Sequence, residues 1–122
     1  MSKTTISLNL QLAEEFLAAA NWAHEMGFYN VSHTNSVNSA IRAKDAMAIK
    51  LVGKSRRLAA HGRAVDELSA LVGAGDLAAA FNRILQDKNR FEYSDELATT
   101  ARSADQLARA ERFLQRAKAL CL

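Results

Sequence analysis

Two charged residues interrupt stretches whose spacing otherwise turns apolar faces inward. Asp45 lies between the directions of Ile41, Ile49 and Val52, and Lys88 continues a stripe formed by Leu77, Phe81 and Ile84. Burying either charge alone is costly, and opposite signs on neighbouring helices compensate each other. A bridge between Asp45 and Lys88, joined by the Tyr93 hydroxyl and His61, would gather a carboxylate, an ammonium, a phenol and an imidazole. Such a bridge would satisfy all of these polar groups at once, and carboxylate, ammonium and imidazole are the groups that hold and move protons. The plainer alternative is that Lys88 snorkels out at its helix end and Asp45 pairs with Arg42 of its own helix.

A second constellation is basic. No acidic residue occurs between Asp45 and Asp66, and Lys50, Lys54, Arg56, Arg57 and Arg63 all fall in that interval. These cations are the candidate nucleic-acid contacts, and phosphate neutralisation by them predicts binding that falls steeply with salt. The same charges can equally serve as a solvated face. The end of the chain is arginine-rich as well, with Arg102, Arg109, Arg112, Arg116 and Lys118 against Asp105 and Glu111.

Other chemistries find little support. His24, His33 and His61 lack the spacing of a metal site, and no glycine-rich phosphate loop occurs, so neither a metal nor a cofactor is expected. Cys121, the single cysteine, reads as a small apolar residue in a last helical turn. A lone cysteine suits a reducing compartment. No apolar run reaches the roughly 20 residues of a spanning helix, which leads to an expectation of a cytoplasmic protein without membrane contact.

The elements that must position these residues are helices. The 122 residues contain no proline and are rich in alanine and leucine, as expected of one all-α domain with a core from about residue 9 to 121. Leu12, Phe16, Ala19, Ala23 and Met26 predict a first helix over Asn9–Met26, stopped by Gly27. A second helix, beginning somewhere in 30–35 and ending near Gly53, has an apolar arc wide enough for a central position, with Lys44 inside the arc and Asp45 at its edge. Ala64, Leu68 and Leu71 predict a short third helix, and Asp76 caps a fourth that would run towards Phe91. Leu107, Ala110, Leu114, Ala117 and Cys121 define the last, beginning at Thr100 or at a capping box of Ser103 and Gln106.

In order and pattern the chain resembles the HEPN superfamily, and most of all short stand-alone HEPN-like proteins of actinobacteria. The resemblance rests on Asn38-Ser39-Ala40-Ile41-Arg42-Ala43-Lys44-Asp45-Ala46, on His61-Gly62-Arg63-Ala64-Val65, and on the run from Ile84 through Asp95 containing Lys88-Asn89-Arg90-Phe91-Glu92-Tyr93. A long alanine- and arginine-rich helix follows. The resemblance spans roughly Leu12 to Leu120. It implies an up-and-down bundle of four main helices and one short one, paired as a two-fold homodimer. It also implies RNA cleavage, or partnership with a nucleotidyltransferase-like protein or an antitoxin in a toxin–antitoxin type system.

Active ribonucleases of the superfamily carry an arginine followed roughly four to six residues later by a histidine. Around Lys88 to Tyr93 this chain has lysine and tyrosine in those roles and no histidine. Arg56 and His61 match the spacing only in the link between the second and third helices, outside the family's position. The leading expectation is therefore a non-catalytic, dimeric HEPN-like module that binds RNA or a protein partner. The alternative is a metal-independent endoribonuclease with a degenerate motif, using Lys88, Tyr93 and His61 with Asp45 positioning the lysine.

Overall fold

The computed structural model describes residues 3–52, 75–86 and 97–122. Four helices account for nearly all of these: α1 (Lys3–Glu25), α2 (Tyr29–Val52), α3 (Gly75–Gln86) and α4 (Thr100–Cys121). No strand occurs among the described residues. The expected short helix around Ala64 to Leu71 lies outside them, as does any continuation of α3 to Lys88 and Phe91.

Side-chain contacts fix the relative directions of the helices. Ser39 Oγ donates to the Ala13 carbonyl at 2.7 Å and Arg42 Nη1 to Asn9 Oδ1 at 3.2 Å, so α1 and α2 run antiparallel. At one end of α4, His24 Nδ1 meets Ser103 Oγ at 2.8 Å, and towards the other Lys118 pairs with Glu14. α4 is therefore antiparallel to α1. Asp76 pairs with Arg116, Phe81 stacks on Phe113 with ring centroids 5.4 Å apart, and Gln106 Nε2 donates to the Ile84 carbonyl at 2.8 Å. Those three contacts make α3 antiparallel to α4, and the four helices alternate in direction as an up-and-down bundle does.

α2 is the central helix. Every residue from Ala43 to Ile49 is buried, together with Ser32, His33, Ser36, Val37, Ser39 and Ala40. Its wide apolar arc demands such wrapping, because an element apolar most of the way round cannot face water on a broad side.

α1 packs by a different face from the one its bulky residues suggest. Leu10, Ala13, Leu17, Ala20 and Ala23 are buried, whereas Leu12 and Phe16 are half-buried and Ala19 and Met26 exposed. The inward face is rotated roughly 100°, one residue's turn, from the Leu12–Phe16 stripe. Alanine explains the rotation. Ala13 and Ala20 are fully buried against an alanine- and serine-rich α2, and small side chains let two backbones come close enough for Ser39 to bond the Ala13 carbonyl directly.

The helix ends follow local chemistry. α1 closes at Glu25 in a Schellman motif: Phe28 N–H reaches the Ala23 carbonyl at 2.8 Å and Gly27 N–H the His24 carbonyl at 3.1 Å. Gly27 supplies the required left-handed backbone, with φ of 80°. Trp22 and Phe28 complete the motif edge to face, with centroids 5.8 Å apart. α4 begins at Thr100 with Thr99 as N-cap, its hydroxyl accepting from Arg102 N–H at 3.2 Å. Ser103, the other predicted start, is instead buried one turn inside and spends its hydroxyl on His24.

Candidate functional site

Lys44 and Asp45, the two charges within the apolar arc of α2, are both inside the protein. Lys44 is 1% exposed and Asp45 is fully buried, and Lys44 Nζ binds Asp45 Oδ1. Adjacent residues on a helix point 100° apart, so the pair forms because the long lysine stem folds across the helix surface to its neighbour. Arg42, the alternative partner for Asp45, is engaged with Asn9. Asn9 is itself held by donating from Nδ2 to the Thr5 carbonyl at 3.0 Å.

Further buried polar groups lie along α2. The hydroxyls of Ser32 and Ser36 and Oδ2 of Asp45 have no hydrogen-bond partner among the described residues, and His33 is fully buried near the start of the helix. Such groups inside a core are costly and limit which neighbours α2 can accept.

Of the four candidate catalytic residues, only Asp45 lies in the described structure. Lys88, Tyr93 and His61 fall outside the described residues, as do Lys54, Arg56, Arg57 and Arg63 of the candidate nucleic-acid set. Lys50, the remaining member of that set, is exposed in the last turn of α2. It lies near Cys121 at the end of α4, where its charge favours the thiolate. Burial acts more strongly and pushes the Cys121 thiol above its ordinary value of 9.0. A buried thiol biased towards its protonated form is a poor nucleophile. No group of three or more histidine, cysteine, aspartate or glutamate side chains gathers as a metal-ligand set among the described residues.

A strongly charged concave surface lies elsewhere. A groove of about 390 Å³ runs between α3 and α4, lined by Arg83, Arg109, Arg112 and Arg116 together with the exposed Asp76, two alanines and the buried Phe113. Phe113 is 1% exposed, so the floor is closed by the Phe81–Phe113 stack and the walls carry the charge. Arg116 Nη2 pairs with Asp76 Oδ2 at 2.6 Å and Arg109 Nη1 donates to Gln106 Oε1 at 3.5 Å. Arg83 and Arg112 are exposed, and no carboxylate pairs with either among the described residues.

The sequence held a signal for this groove. Arg109, Arg112 and Arg116 recur at three and four residues, which places three guanidinium stems on one side of one helix. Arg83 could be added only once α3 was known to lie antiparallel against that side.

A second surface stands out by its apolarity. Phe28 and Val31 line a depression of about 300 Å³ together with Leu97, beside the turn that joins α1 to α2. Trp22 and Met26 are more than half exposed at the same turn. Asn30 Oδ1 accepts from Ala98 N–H at 2.6 Å and ties the start of α2 to the segment leading into α4. No described helix is long and apolar enough to cross a membrane.

No protein-family model matches the chain, and no curated protein shows significant similarity to it.

Proposed function

We propose that this chain is a non-catalytic, HEPN-like helical module that pairs with a second copy of itself and acts by binding RNA. The observation that carries the reading is the placement of Asp45. A carboxylate that is fully buried and held by the adjacent lysine of its own helix is already committed to a structural ion pair, which argues against its positioning Lys88 for catalysis.

RNA is favoured over a protein ligand because the exposed charge of α4 is predominantly cationic and the chain carries a net charge of +3. Arginine presents a planar fork of donors that matches phosphate oxygens. A nucleotidyltransferase-like protein or an antitoxin is the competing partner.

The test is to incubate the purified protein with a mixed RNA pool at low salt and again at about 200 mM, where phosphate-driven binding is expected to have weakened by orders of magnitude. Retention of intact RNA that disappears with salt is the expected result. Cleavage of the pool over hours would favour the endoribonuclease alternative built on Lys88, Tyr93 and His61. Absence of retention at the lowest salt would leave the protein partner.

A further inference from the structure

Resting on the RNA-binding reading, the geometry points to the groove between α3 and α4 as the place where RNA sits, and to the phosphodiester backbone of a single strand as what it holds. Three observations support this. The groove is concave and lined by four arginines, of which Arg83 and Arg112 are exposed and have no carboxylate partner among the described residues. Its charge comes from two helices, so a ligand is gripped from both sides. Its apolar floor is closed by Phe113, which is buried and offers no face for a base to stack on.

Length selects the ligand further. Arg109 and Arg116 are seven residues apart, about 10 Å along α4 at 1.5 Å per residue. A single phosphate is only a few ångströms across, so a track of this length is long enough to contact more than one phosphate of a strand. A lone phosphate would occupy one end of such a track. With backbone contacts and no stacking platform, the site binds without reading bases.

Asp76 tempers the site. Its carboxylate holds Arg116 at 2.6 Å and places one negative charge in the groove's lining, so an incoming phosphate must displace it. Asp76→Asn should therefore tighten binding severalfold.

The experiment is a titration of labelled oligouridylate by fluorescence anisotropy over a range of salt. Wild type is compared with Arg83→Ala/Arg112→Ala and with Ala18→Glu/Asn21→Asp, which changes net charge equally on exposed positions of α1. Circular dichroism checks that helicity is unchanged in all three. Removing two phosphate contacts should weaken binding by tenfold or more at about 50 mM salt and reduce the salt slope by about 1.4, while the α1 variant shifts affinity far less.

Equal losses in the two variants would show that net charge alone acts and overturn the groove. Full binding by the arginine variant would also overturn the groove while leaving the RNA-binding reading intact. No binding by wild type would overturn that reading itself. Competition by inorganic tripolyphosphate at the same phosphate concentration as RNA would assign the groove to a small polyphosphate, and competition by polyglutamate to an acidic protein. Either result would remove the RNA assignment.

Discussion

Asp45 and Lys44 illustrate how a charge inside a helix bundle can be structural. Each is desolvated, and each is tolerable because the other is present. Asp45→Ala leaves a buried ammonium without its counter-charge, and we expect a loss of about 3–5 kcal/mol in urea unfolding. The double substitution Lys44→Met/Asp45→Leu removes both charges and should restore most of that stability. If the double variant is as unstable as the single, the pair holds more than itself in place. Cys121 gives a second prediction at this scale. Burial raises its thiol above 9.0 in the folded protein, so the folded state disfavours the thiolate. That stability is fully present below the ordinary thiol value and is lost as pH rises through the raised one. Urea midpoints should therefore fall more between about pH 8 and 10 for wild type than for Cys121→Ala, and alkylation of the folded protein should be slower than that of a free thiol.

The helices themselves follow from spacing, composition and caps, and the last two were the easiest to read. The buried residues Leu77, Phe81 and Ile84 of α3, and Leu107, Ala110, Leu114, Ala117 and Cys121 of α4, are those their periodicity selects. α1 was legible as a helix but not in its orientation, because hydrophobicity ranks Leu12 and Phe16 above Ala13 and Ala20. Close approach of two helices reverses that order. The Asp45 site was half legible: burial of Lys44 and Asp45 follows from the apolar arc, whereas their pairing with each other depends on a side-chain path that spacing does not encode. The turn after α1 supports a prediction at the scale of the element. Gly27 has φ of 80° and nothing within 4 Å of the position a Cβ would take, so Gly27→Ala meets backbone strain without a steric clash. A cost of about 1–2 kcal/mol is expected. Gly27→Asn should cost less, since asparagine tolerates the left-handed region. Thermal unfolding of the two variants compares these costs directly.

At the scale of the molecule, cationic and apolar surfaces lie on different parts of the bundle, and this separation allows pairing and RNA binding to be tested independently. Trp22, Met26, Phe28, Val31 and Leu97 are exposed together around the turn between α1 and α2, whereas isolated apolar residues are the usual pattern on a monomer's surface. The same face contains the depression lined by Phe28, Val31 and Leu97, in whose described lining there is no charged side chain. A surface with both protruding apolar side chains and an apolar hollow can be self-complementary, as a two-fold interface requires. If the chain pairs as proposed, a second copy is expected to cover this face. Val31→Asp/Leu97→Asp changes two exposed positions and should alter stability by only about 0.5 kcal/mol per site. In sedimentation equilibrium it should reduce the apparent mass from that of a pair to that of one chain. RNA retained by the separated chains would show that each arginine groove is complete within one copy. An unchanged mass of a pair would place the pairing surface elsewhere on the bundle, and a wild-type mass of one chain would overturn the pairing itself.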